Sequence, residues 1–228
     1  MPTVEDVVKP LPGIQTLTYE DVNTLLNFQQ LWIELVVWMR DYFRSTLENH
    51  PNQAAVENRV FGVLPMDFYT EFSRYFSPEI SQQFLNLLTK LININIDLVN
   101  AYKNNDDAAL DANTRQWYQV ADQISAFLAS INPYWDQEQI KDFLDDYIKF
   151  KIQEIIAFLN GNYELEARIF DDLENKAIEL AAYMATGARF NNLSMVVLKE
   201  EADQTDQMPY ITPEDIARYG QIVDSHLK

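Results

Sequence analysis

The sequence predicts an all-α fold, an up-and-down bundle of six main helices, and three observations carry that reading. Apolar residues recur at steps of three and four from Leu25 to Met184, the spacing that puts them on one face of a helix. The chain has only 5 Gly in 228 residues, too few turn-makers for a β-rich fold. With 47% hydrophobic and 13% aromatic residues, it also has ample material for a packed core.

The elements follow in order. Residues 1–20 bear prolines and lack a helical period, and are read as an N-terminal arm. Thr18 and Asp21 have the spacing of a capping box, and open a helix whose stripe includes Leu25, Phe28, Trp32, Leu35, Met39 and Phe43. A shorter element is expected over Ala54–Val63, with a stop near Gly62 and Pro65, and a helical pattern resumes over Asp67–Phe76. Ser77, Pro78 and Glu79 supply a cap, a first-turn proline and a first-turn acid, so a long helix runs to about Asn104. After a turn at Asn104–Asp107, a helix covers about Ala108–Ser130 and stops at Asn132-Pro133. The next spans about Gln137–Leu159, and Asn160-Gly161 turns the chain. The last main helix is expected over Tyr163 to about Thr186, ending at Gly187. The bundle is thus placed at 21–187. Residues 188–228 form a C-terminal arm containing an apolar run Leu193–Leu198, an acidic stretch Glu200–Asp206 and a short helix capped at Thr212–Asp215.

Shifting the chain by 56 residues sets Leu88–Leu128 over Leu144–Met184 with seven identities, mostly on the apolar faces. Both turns then coincide, Asn104-Asn105 over Asn160-Gly161, and Trp38, Ile94 and Phe150 superpose. The bundle is read as three helical hairpins of about 56 residues.

Composition narrows function. Lys plus Arg is 17 and Asp plus Glu is 35, for a net charge of −18. Nucleic acid is not an expected partner, because no basic patch is present to displace counterions from phosphates. Zero cysteines remove thiolate metal sites, disulfides and a cysteine nucleophile. No phosphate-binding glycine loop and no serine nucleophile elbow occurs. His50 and His226 are the only histidines, at a helix end and two residues from the C-terminus, and both read as surface residues. The longest strongly apolar run, Leu31–Met39, is broken by Glu34 and too short to span a bilayer. The N-terminus lacks the basic start and apolar run of a signal peptide. The expectation is a soluble protein, cytoplasmic or within a large particle, with no membrane insertion and no cofactor.

One metal alternative is open. Glu34, Asp97, Asp171 and Glu174 are carboxylates on inward-capable positions, and Asp171 and Glu174 lie one turn apart. They would make a carboxylate site of the ferritin or hemerythrin kind. Otherwise Glu34 and Asp97 should lean to solvent or find a cation, with Arg40 and Arg168 as candidates.

Several segments together resemble an uncharacterised bacterial family of helical-bundle proteins. They include Leu31–Arg40, Arg59, Asp67-Phe68, Leu87–Thr89 and Asp97–Ala101, then Trp117-Tyr118, Ala121-Asp122, Phe127-Leu128, Ile131–Trp135, Tyr163 and Phe170-Asp171. The resemblance covers about 28–187. It implies a helical bundle with a His/Asp metal site on three helices and no established activity. The family's histidines fall on Leu35, Leu91 and Tyr147 of this chain, spaced by the same 56 residues. Leucine cannot ligate, so the resemblance implies an ancestral site that has been lost and refilled with apolar side chains. The leading expectation is therefore a non-enzymatic structural or interaction protein. It would be a minor component of a large assembly such as a capsid or coat, joined to protein partners or to itself through its terminal arms.

Overall fold

The computed structural model describes residues 18–204, with side chains to residue 191, and these residues are helical throughout apart from short turns. The helices are α1 (Tyr19–Leu47), α2 (Gln53–Glu57), α3 (Leu64–Phe72), α4 (Pro78–Asn104), α5 (Asp107–Ile131), α6 (Gln137–Leu159) and α7 (Tyr163–Gln204), with a π-helical segment Asn58–Val63 between α2 and α3. Backbone contacts divide the chain into two units, one of Asn23–Asn192 and one of 1–22 with 193–228. The N-terminal arm up to residue 17 and the short helix expected at Thr212–Asp215 lie outside the described residues.

Local chemistry explains the helix starts. Thr18 and Asp21 form the reciprocal box, with Thr18 N donating to Asp21 Oδ2 at 2.7 Å and Asp21 N to Thr18 Oγ1 at 3.1 Å. Ser77 accepts from Ile80 N ahead of Pro78, Asp106 from Ala109 N and Asp136 from Gln139 N. The ends of α1, α4 and α6 share one closure. Asn49, Asn105 and Gly161 adopt left-handed backbone at φ 52, 53 and 68°, each 56 residues from the next. In each case the following N–H reaches back to a carbonyl five residues earlier: His50 to Ser45, Asp106 to Ala101, and Asn162 to Ala157. That is the Schellman arrangement, which satisfies the last carbonyls of a helix and reverses the chain.

α4 packs along α5, α5 against α6, and α3 with the π-helical segment along α4. Their apolar stripes meet in one continuous core to which every helix and the π-helical segment contribute. One end is dominated by aromatics: Phe72 stacks on Phe84 at 4.3 Å and on Phe76 at 4.5 Å, and Phe76 lies 5.5 Å from Trp135. Burying each such ring stabilises the fold by about 1.5–3 kcal/mol.

Two expected helix ends are not ends. The chain does not stop near Gly62 and Pro65; it widens into the π-helical segment and continues directly into α3, which starts at Leu64 and closes at Phe72 instead of Phe76. Pro65 is tolerated because it lies in the first turn of α3, where its missing N–H is not needed. Nor does the last helix end at Gly187, so α7 runs through the 187/188 boundary drawn from sequence. Gly187 serves packing instead. A Cβ there would lie 2.0 Å from Trp135 Nε1, so the indole sits directly on the α7 backbone.

Candidate functional site

The densest chemistry among the described residues is a charge cluster buried between α1, α6 and α7. Lys151 and Glu154 are fully buried on α6, Glu166 is 2% exposed in the first turn of α7, and Arg40 of α1 closes the group toward solvent. Lys151 Nζ donates to Glu154 Oε2 at 2.6 Å. Arg40 grips Glu166 with two bonds, Nε to Oε1 and Nη2 to Oε2, both 2.7 Å, and its Nε lies 3.5 Å from Glu154 Oε1. This paired geometry suits the planar guanidinium fork. The guanidinium also rests 4.1 Å over the Phe170 ring, one turn beyond Glu166. Glu166 gains further from the partial positive charge at the start of α7.

Two cations face two anions, so the cluster is neutral overall, but its parts are unequally satisfied. Glu154 Oε1 accepts no hydrogen bond although it is buried. Burial pushes the Glu154 carboxyl above its ordinary value, while Lys151 and Arg40 pull it back. Burial likewise pushes the Lys151 ammonium down against the pull of Glu154. The bond to Glu166 raises Arg40. Tyr147, one turn before Lys151, is buried and its phenol is pushed up by desolvation.

Sequence reasoning missed Lys151, Glu154 and Glu166 and gave Arg40 the wrong partner. A signal existed for one of them. Lys151 interrupts the α6 stripe of Leu144, Ile148, Ile155 and Phe158 at helical spacing, a position where an ordinary surface lysine does not belong.

The positions singled out from sequence are distributed differently. Leu35, Leu91 and Tyr147 are all buried members of the same core. Glu34 is partly exposed and is held by Arg59, whose other arm reaches Asp67 at 2.7 Å; Gln30 also donates to Glu34 at 2.9 Å. The cation for Glu34 is thus Arg59, from the π-helical segment, and not Arg40. Arg168 is exposed. Asp97 and Asp171 are exposed and Glu174 is partly exposed. Among the described residues, no three Asp, Glu or His side chains group as a metal ion would require, so the four carboxylates do not converge. Asp145 and Asp146 are held by Lys141 at 3.0 Å and Lys176 at 3.5 Å. No described helix is long and apolar enough to cross a membrane.

No protein-family model, curated protein or solved structure matches the chain.

Proposed function

We propose that the protein is a non-enzymatic interaction component, a helical scaffold that meets other protein chains through its surface and terminal arms within a larger assembly such as a capsid or coat. The observation that supports this is the sealed charge cluster. Catalytic acids and bases must touch a substrate, whereas Lys151 and Glu154 are fully buried and spend their charge on each other and on Arg40. Such a group fixes how α1, α6 and α7 register, which is the best-attested use of buried ions. The burial of Leu35, Leu91 and Tyr147 in one apolar core fits a bundle whose ancestral metal positions have been refilled. The matching closures after α1, α4 and α6 fit three hairpins derived from one 56-residue unit.

Native mass spectrometry of the protein isolated from its source tests the reading. The expected result is a complex with partner chains, or with further copies, at fixed stoichiometry and without bound transition metal. Recovery solely as a free monomer overturns it. Stoichiometric metal on the isolated chain would favour the carboxylate alternative instead.

A further inference from the structure

Two shallow grooves flank Lys90 on the outer side of α4. One, of about 480 Å³, is lined by the apolar Phe61, Pro65, Met66 and Leu85 with the polar Asn86 and Thr89, where the π-helical segment and α3 lie beside α4. The other, of about 560 Å³, runs between α4 and α5 and is lined by Arg115 with Gln116 and Gln119. Lys90 lines both, so a largely apolar groove and a polar one carrying Arg115 meet at one side chain.

Two facts bear on the charge of this surface. Neither groove is lined by an Asp or Glu, although the chain carries 35 of them. Lys90 and Arg115 are exposed and, like Lys149 and Arg168, have no ion-pair partner among the described residues, whereas Arg40, Arg59, Lys141 and Lys176 each hold a carboxylate. On a chain of net charge −18, two unpaired cations beside grooves lined by no Asp or Glu offer an anionic group two places to pair. Met66 is 48% exposed at its edge, and its flexible thioether adapts to varied apolar surfaces.

We propose that this surface docks an acidic amphipathic segment of a partner protein. Its apolar side chains would enter the groove beside Met66, and its carboxylates would engage Lys90 and Arg115. The inference rests on the interaction reading above and adds the surface and the partner's chemistry. Charge complementarity selects the occupant. An acidic segment is repelled by most of this molecule and attracted here, which fixes where it binds as well as how tightly. A guanidinium donates to both oxygens of a carboxylate in paired geometry, and the glutamine amides add donors beside it. A nucleic acid would need many more cations than two.

The test selects helical peptides from a random displayed library on the full chain. Enriched peptides are expected to be acidic, with apolar residues three and four apart. Their affinity should fall about tenfold in K90E/R115E and in Met66→Asp, and should hold in K149E/R168E, which alters net charge equally elsewhere. Enrichment of neutral or basic peptides, or indifference to Lys90 and Arg115, overturns the proposal. So does inorganic phosphate bound alone with the same sensitivity, which would mark a small-anion site. Self-association of the wild type that K90E/R115E abolishes would assign the surface to a second copy and overturn the partner. Native mass spectrometry of K90E/R115E from the source separates the two levels. A partner retained by the variant refutes this surface and leaves the interaction reading standing; a wild type without any partner refutes that reading itself.

Discussion

Lys151 Nζ lies 2.6 Å from Glu154 Oε2, one helical turn apart on α6, with both side chains wholly out of solvent. An ion pair in that position costs much in desolvation, and its attraction repays the cost only while both members are present. The relationship therefore behaves differently when one partner is removed and when both are.

Lys151→Met and Glu154→Leu should each destabilise the protein by about 3–5 kcal/mol, because each leaves an uncompensated buried charge. The double variant should recover most of that loss, since the remaining Arg40–Glu166 pair is balanced and the new side chains are apolar. A double-mutant cycle by urea denaturation measures the coupling. Strictly additive losses would show that the pair does not act as a unit.

The pH dependence of Glu154 has the opposite sign to that of an ordinary salt-bridged acid. Its folded-state value lies above the ordinary 4.5, so the folded state binds a proton more readily than the unfolded chain. Its stabilising contribution is fully present below about 4.5 and is lost as pH rises through the folded value. Relative to wild type, Glu154→Gln should therefore gain stability as pH rises from about 4.5 to 7. Denaturant midpoints for both proteins at several pH values check the slope. A wild type that gains on the variant over that interval would reverse the assignment.

Gly187→Ala pits helix propensity against packing. Alanine gains about 1 kcal/mol over glycine inside a helix. Yet the new methyl carbon would lie 2.0 Å from the Trp135 indole nitrogen and 2.4 Å from its Cδ1, atoms of a rigid ring held in the core. Overpacking of this kind costs about 1–3 kcal/mol, so a net loss is expected. Thermal unfolding should show a lower midpoint for Gly187→Ala, and a smaller loss in a Trp135→Leu background. An unchanged midpoint would mean that the indole moves aside freely.

The left-handed closures give opposite expectations at equivalent positions. Asn105 holds φ 53° without a Cβ-free backbone, so Asn105→Gly should stabilise by about 0.5–1 kcal/mol. Gly161, at φ 68°, already has that freedom, and Gly161→Ala should destabilise by a similar or larger amount. Equal responses at the two sites would show that the closures after α4 and α6 differ in kind.

What the sequence by itself determined is what short-range chemistry controls. The apolar stripes, the Thr18–Asp21 box, the Ser77-Pro78 start and the turns at Asn105 and Gly161 depend on residues within about five positions of one another. Those interactions hold whatever the helices pack against, and with them the helix count was legible. Tertiary structure decided everything that depends on which faces meet. Arg40 and Glu166 are 126 positions apart, and Arg59 reaches Glu34 across 25; a chain with 35 acids offers many rival pairings that spacing cannot rank. Gly187 read as a helix stop because glycine commonly is one, yet its backbone freedom is unused and its missing side chain makes room for Trp135. Pro65 read as a breaker, but only the packed π-helical turn ahead of it showed that it begins a helix. Charge pairing, close backbone approach and local helix widening are all set by packing across the bundle, at distances the order of residues does not encode.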